Sequence, residues 1–155
     1  MNETKAMVAE FHRKFDLAIA DTPTLGYDAL RKLRVRLILE EALEFAEACG
    51  IAVRIKGDGI DHSPRPVVQI ERLVLEWTGN PDIIKMADGL ADLDYVVQGA
   101  NLAFGLPSEA IVTEVHRSNM SKVWPDGTVH KDAGGKVIKP STYSPADIAS
   151  ILEKA

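Results

Sequence analysis

Along residues 3–20, Met7, Val8, Phe11, Phe15 and Ala18 recur at helical spacing with charged positions between them, which predicts a first amphipathic helix. "DTPTLGYD" breaks it, and a second, longer helix is predicted over residues 28–49 with Gly50 as its stop. Residues 51–66 mix β-branched residues with Gly, Asp and Pro, a pattern that fits a loop or a short hairpin. Ile70, Leu73, Val74 and Trp77 follow i, i+3, i+4, i+7 and predict a short third helix ending at "TGN". A fourth helix follows, with Asn80 placed to cap it, Pro81 at its first position, Asp82 suited to its dipole and Gly105 as its end. A fifth is predicted from Pro107 to about Lys122. "WPDGTVHKDAGGKVIKPSTYSP" then has the turns and alternation of a β-hairpin followed by a loop, and Ser144, Pro145 and Asp147 open a short terminal helix. The pattern predicts an all-α fold, a four-to-five-helix bundle with a small C-terminal β-hairpin arm. It reads as one domain over residues 1–155, with a helical core at about 3–122 and the hairpin and short helix at about 123–155.

The two long helices each interrupt an apolar stripe with carboxylates. At ~100° per residue, Leu30, Leu33, Glu40, Glu41, Glu44 and Ala48 fall within roughly 60° of Leu37, while Val35, Leu39, Ala42, Leu43 and Ala46 lie opposite. On the fourth helix, Lys85, Asp88, Tyr95, Val96, Gly99 and Ala103 share the face of Asp92, and Asp88 and Asp92 are neighbours four residues apart. Ile83, Ala87, Leu90 and Val97 lie opposite. Both helices therefore have two faces that want cover.

Carboxylates facing one another in a bundle repel, and each carries a desolvation cost of several kcal/mol unless a cation neutralises it. Oxygen-only ligation suits Mg²⁺, with Mn²⁺ as a substitute, and leaves coordination positions for water and phosphate oxygens. A di-iron carboxylate bundle calls for Glu-x-x-His on two helices, and the chain has no such pair. The plainer alternative is a solvated face on which Glu40 and Glu41 pair with Arg36, Arg34 or Lys32. On the fifth helix Ile111 and Val115 lead along one stripe to Asn119 and Lys122, an amide and a point charge suited to phosphate, although a Lys at that place also matches the helix dipole.

Composition narrows the partners. Eighteen basic against twenty-three acidic residues give a net charge of -5, opposite in sign to a duplex nucleic-acid footprint. Cys49 is the single cysteine, so no disulfide framework or thiolate zinc site exists. At 155 residues a chain buries roughly 70% of its unfolded surface and needs no structural metal, so any metal serves function. The sequence has no apolar leader-like run near its start and no ~18-residue apolar span, which predicts a cytoplasmic protein without membrane contact. Phe11, Phe15, Trp77, Tyr95 and Trp124 are candidates for stacking a nucleobase, against the commoner role of core aromatics. His12, His62, His116 and His130 show no paired ligand spacing.

Three motifs stand in order: EExxE as Glu40-Glu41-x-x-Glu44, the helix "DGLADLDYVV", and "EVHRSNMSKVWPDG" after it. With them the chain resembles the MazG-like members of the all-α NTP pyrophosphohydrolase superfamily, over about residues 28–140 and also in the opening "EFHRKF". That superfamily also contains dimeric dUTPases and phosphoribosyl-ATP pyrophosphohydrolase. The resemblance implies hydrolysis of a nucleoside triphosphate between the α and β phosphates, with Mg²⁺ held by the acidic motifs, in a homodimer or dimer of dimers. It matches Glu41 and Glu44 to the first metal ligands, Asp92 to the terminal Asp of the second motif, and Glu40 to the glutamate that orients or deprotonates the attacking water. Asn119 and Lys122 match the Asn-x-x-Lys stretch associated with triphosphate, and Lys85, Tyr95, Phe11 and Phe15 complete the substrate-binding candidates. The usual second motif is Glu-x-x-Asp, but the residue three before Asp92 is Gly89, and the available carboxylate is Asp88. Candidate substrates are dUTP and purine dNTPs alike. The rival from another class is a non-catalytic nucleotide-binding helical module or sensor that has lost its chemistry at that altered motif.

Overall fold

The computed structural model describes residues 3–55 and 73–155. In chain order these form α1 (Glu3–Lys14), α2 (Asp28–Ala48), β1 (Ile51–Ile55), β2 (Leu73–Trp77), α3 (Ile83–Ala103), α4 (Ser108–Met120) and α5 (Ile148–Leu152). The architecture is mostly helical with one small antiparallel pair of strands, as the all-α expectation requires. Among the described residues no helix is long and apolar enough to cross a membrane. The chain divides into two compact units, Tyr27–Ala100 and the pair of segments Met1–Gly26 and Asn101–Ala155.

In Tyr27–Ala100, α2 stops at Gly50, whose φ of 72° is open to glycine and whose N–H donates to the Glu47 carbonyl at 2.8 Å. β1 and β2 then pair antiparallel, with Ile51 opposite Trp77 and Val53 opposite Leu75. The short third helix predicted from Leu73, Val74 and Trp77 is therefore a strand. Its i, i+3, i+4, i+7 spacing coexists with the alternation Leu73, Leu75, Trp77, and the partner strand decides between them. Ile70 of that expectation, most of the predicted loop or hairpin at 51–66, and His62 lie outside the described residues.

The cap of α3 is also two residues later than expected. Thr78 N–H donates to the Gly50 carbonyl and Asp82 N–H to the Ala48 carbonyl, tying residues 78–82 to the end of α2. Asp82 is thereby the residue placed to accept from Ile84 N at 2.9 Å and Lys85 N at 3.3 Å, and Asn80 and Pro81 precede the helix. On α2, Leu30, Arg34 and Ala48 are buried, while Val35, Leu39 and Leu43 on the other side are more than half exposed in the single chain.

In the other unit α1 ends at Lys14, short of the predicted residue 20. Asp16 turns the chain through φ 55°, and the Leu17 N–H returns to the His12 carbonyl. His12, 2% exposed, bonds through Nδ1 to the Ala18 carbonyl at 2.9 Å, so its role is to close this turn. Ala20 N–H and Thr24 N–H donate to the carbonyls of Leu102 and Phe104, and Val8, Ala9, Leu102 and Ala103 supply the buried apolar residues.

The predicted C-terminal hairpin is reduced to a single antiparallel bridge between Lys131 and Val137. Asp132 Oδ1 accepts from both Gly134 N and Lys136 N, so a side chain organises the turn, and Pro125 and Pro140 lack the N–H that would extend a ladder.

α5 is held to α4 through Glu114, whose Oε1 accepts from Asp147 N at 2.8 Å while Arg117 donates to both carboxylate oxygens. The hydrogen bonds from Arg117 and then from Asp147 N–H hold the Glu114 carboxyl down at about 2, from an ordinary 4.5. A depressed folded-state value means stabilisation that is present above the unfolded pKa and lost as pH falls from 4.5 through about 2. Glu114→Gln is accordingly expected to lower the melting temperature at neutral pH, with the gap to wild type narrowing as acid is added. Thermal denaturation followed across that window checks it.

Candidate active site

α2 carries Glu40, Glu41, Glu44 and Glu47 on successive turns, and α3 carries Asp88 and Asp92 one turn apart. The two helices come together at Gly89, which is buried: a methyl group there would lie 3.3 Å from Cα of Phe45. Beside this crossing a cleft of about 620 Å³ is lined by Glu44, Glu47, Asp82, Lys85, Asp88 and Asp92, together with Thr78, Asn80 and the end of α2. Glu41 joins the same field. Loss of solvation and then Glu44, Asp92, Glu40 and Asp88 push its carboxyl above the usual value, so charges from both helices act on it together.

Of the residues predicted from sequence, the structure thus groups Glu41, Glu44, Asp88 and Asp92, with Lys85 as a basic member of the cleft. Glu40 adds to the field on Glu41, while its Oε1 lies 3.6 Å from Arg36 and it borders an apolar groove on α2 with Val35, Leu39 and Leu43. Arg34, one of the two remaining basic neighbours of the carboxylates in the sequence, is buried, and its Nε has no hydrogen-bond partner. Burial lowers its pKa, with Tyr27 opposing. Tyr95 is half-buried on α3 and is not one of the cleft's lining residues.

The remaining candidates belong to the other unit. Lys122 Nζ donates to Asn119 Oδ1 at 2.7 Å, and the pair lines a pocket of about 320 Å³ with Val123, Val129 and Val137. Phe11 and Phe15 lie on one another at the surface, ring centroids 4.4 Å apart.

Glu47, Thr78, Asn80 and Asp82 line the cleft without having been singled out for it. Glu47 is three residues beyond Glu44, a spacing that signals a shared helix side. Thr78 and Asn80 carry no such signal, because they arrive through the strand pairing.

Among the described residues no three of His, Cys, Asp and Glu close on one point tightly enough to hold a metal ion. The donor set itself is that of a hard cation: carboxylate oxygens only, in mutual repulsion that positive charge relieves. The family model for phosphoribosyl-ATP pyrophosphohydrolase, PRA-PH, matches residues 8–119, a span that includes every acidic residue of the cleft. The chain belongs to this family. PRA-PH in turn lies within the MazG-like all-α NTP pyrophosphatase superfamily. Membership supports a pyrophosphohydrolase-type activity at a phosphoanhydride. The PRA-PH match ends at Asn119, so Lys122 lies just beyond it. No curated protein matches the chain.

Proposed function

We propose that the chain hydrolyses ribo- or deoxyribonucleoside triphosphates to the monophosphate and pyrophosphate in a Mg²⁺-dependent reaction, in a cytoplasmic nucleotide-pool role. The observation that carries this reading is the convergence of α2 and α3 carboxylates on Glu41 beside a polar cleft that also contains Lys85. Glu41, Glu44, Asp88 and Asp92 would hold the cation, with Mn²⁺ as a substitute. When bound, the cation supplies positive charge against the triphosphate and polarises a phosphoryl oxygen.

The chain's own groups do the rest. Glu41 accepts a proton from the attacking water, with Glu40, its neighbour on α2, helping to orient that water. A bond forms from the water oxygen to the α-phosphorus as the bridge to the β-phosphate breaks, and pyrophosphate leaves. Lys85 serves as a phosphate donor in the cleft, and Tyr95 on the same helix is a stacking candidate for the base. Turnover in isotopically labelled water tests the bond that breaks. The label is expected in the monophosphate; label in the pyrophosphate alone would place attack on the β-phosphate and overturn the mechanism.

A second copy of the chain is proposed to complete α2, as a homodimer or a dimer of two dimers. Support comes from the groove of about 510 Å³ on α2, whose Val35, Leu39 and Leu43 floor is rimmed by Arg31, Lys32, Arg36 and Glu40. An apolar floor with charges of both signs at its rim is able to pair with itself across a two-fold axis. Leu39→Asp is expected to yield monomers by light scattering with helicity retained. An unchanged mass would remove the groove from the interface.

A further inference from the structure

We propose that Gly89 is the positioning residue of the acidic cleft: its missing side chain lets α3 lie against the backbone of α2, and Asp88 is thereby the carboxylate that acts with Asp92. The inference rests on the pyrophosphohydrolase reading and deepens it.

A glycine inside a helix weakens it relative to alanine, so its presence in the middle of α3 needs a reason. The reason is space. A Cβ at position 89 would meet Phe45 Cα at 3.3 Å and Phe45 N and Cβ at 3.4 Å. Two of those three atoms are backbone and cannot rotate away, so any side chain must push the helices apart. The glutamate that the resemblance expects at position 89 would, through its Cβ alone, require the Phe45 backbone to give by a few tenths of an ångström. Asp88 and Asp92 instead share one side of α3, four residues apart, and both line the cleft. Glu44 lines it from α2, adjacent in sequence to the crossing residue Phe45. The separation of the two helices at this crossing therefore sets how far Glu44 stands from Asp88 and Asp92.

The test uses the full-length chain and Mn²⁺ as the probe, with binding followed by electron paramagnetic resonance and folding by far-UV circular dichroism. Wild type is expected to bind Mn²⁺. Gly89→Ala is expected to stay helical yet bind at least about 10-fold more weakly, the scale on which a group that orients metal ligands acts. The double variant Asp88→Gly with Gly89→Glu, which restores the family spacing, is expected to bind no better than Gly89→Ala. Wild-type affinity in either variant overturns the inference. Asp88→Asn leaves the packing unchanged and carries the test if Gly89→Ala does not fold: it is expected to lose Mn²⁺ affinity, and unchanged affinity overturns the assignment of Asp88. Absence of Mn²⁺ binding by wild type would instead bring down the pyrophosphohydrolase reading, and the inference with it.

Discussion

Glu41→Gln is expected to reduce nucleotide hydrolysis by roughly 10³-fold, within the range of about 10²–10⁴ that a positioned acid–base group supplies. The same substitution is expected to raise the melting temperature of the metal-free protein. The effect on stability follows from the charges around Glu41. Glu41 stands in the field of Glu44, Asp92, Glu40 and Asp88 and has lost part of its solvation, so its carboxyl is pushed above 4.5. A folded-state value above the unfolded one means that ionised Glu41 destabilises the fold, with stability declining as pH rises from 4.5 through the raised value. At neutral pH, Gln removes that repulsion while leaving no group to accept a proton. Steady-state assays and thermal melts in EDTA measure the two sides. A variant that loses activity and also melts lower would show Glu41 to be a structural residue.

Gly105→Ala is expected to have the largest effect on stability, more than about 3 kcal/mol, against a background in which most substitutions fall well below that. Gly105 closes α3 with its N–H on the Leu102 carbonyl, while Leu106 N–H reaches the Asn101 carbonyl, a glycine-dependent helix end with φ 63°. An added Cβ would lie only 2.2 Å from the Thr22 carbonyl oxygen and 3.1 Å from that of Ala20. Those atoms belong to the segment whose Ala20 and Thr24 amides bond to the end of α3, so they cannot withdraw without breaking that attachment. Gly127→Ala is the matched comparison. Its φ is 82°, but a Cβ there meets nothing within 4 Å, so the expected loss is the left-handed backbone term of about 1–2 kcal/mol. Chemical denaturation of both variants separates clash from conformation. Equal losses would contradict the close approach at Thr22.

The helices were legible wherever period and stop signals agreed. α2 ends one residue before the predicted 49, where Gly50 turns the chain, and α4 lies inside its predicted span. α1 is shorter than its spacing predicts because Phe15 and Ala18 continue the helical pattern, whereas the turn at Asp16 and the bond from Leu17 N–H to the His12 carbonyl depend on local geometry that spacing does not encode. β2 reads as a helix in sequence because its partner β1 is distant in sequence, and a strand's identity depends on that partner. For the same reason Thr78 and Asn80 could not be foreseen in the cleft. The acidic grouping was more legible: a carboxylate on an apolar stripe marks itself, and Glu41, Glu44, Asp88 and Asp92 share one electrostatic field as the helical period implies. The departure at Gly89 has a physical meaning that spacing alone could not supply, namely the approach of the Phe45 backbone.

The most direct measurement is chromatographic resolution of products after incubating the purified chain with each dNTP and rNTP, dUTP and phosphoribosyl-ATP, in Mg²⁺ or in EDTA. Monophosphate and pyrophosphate from one or more nucleoside triphosphates, abolished by EDTA, is the predicted result, and the pattern names the base. No turnover of any nucleoside triphosphate, with or without cleavage of phosphoribosyl-ATP, would contradict it.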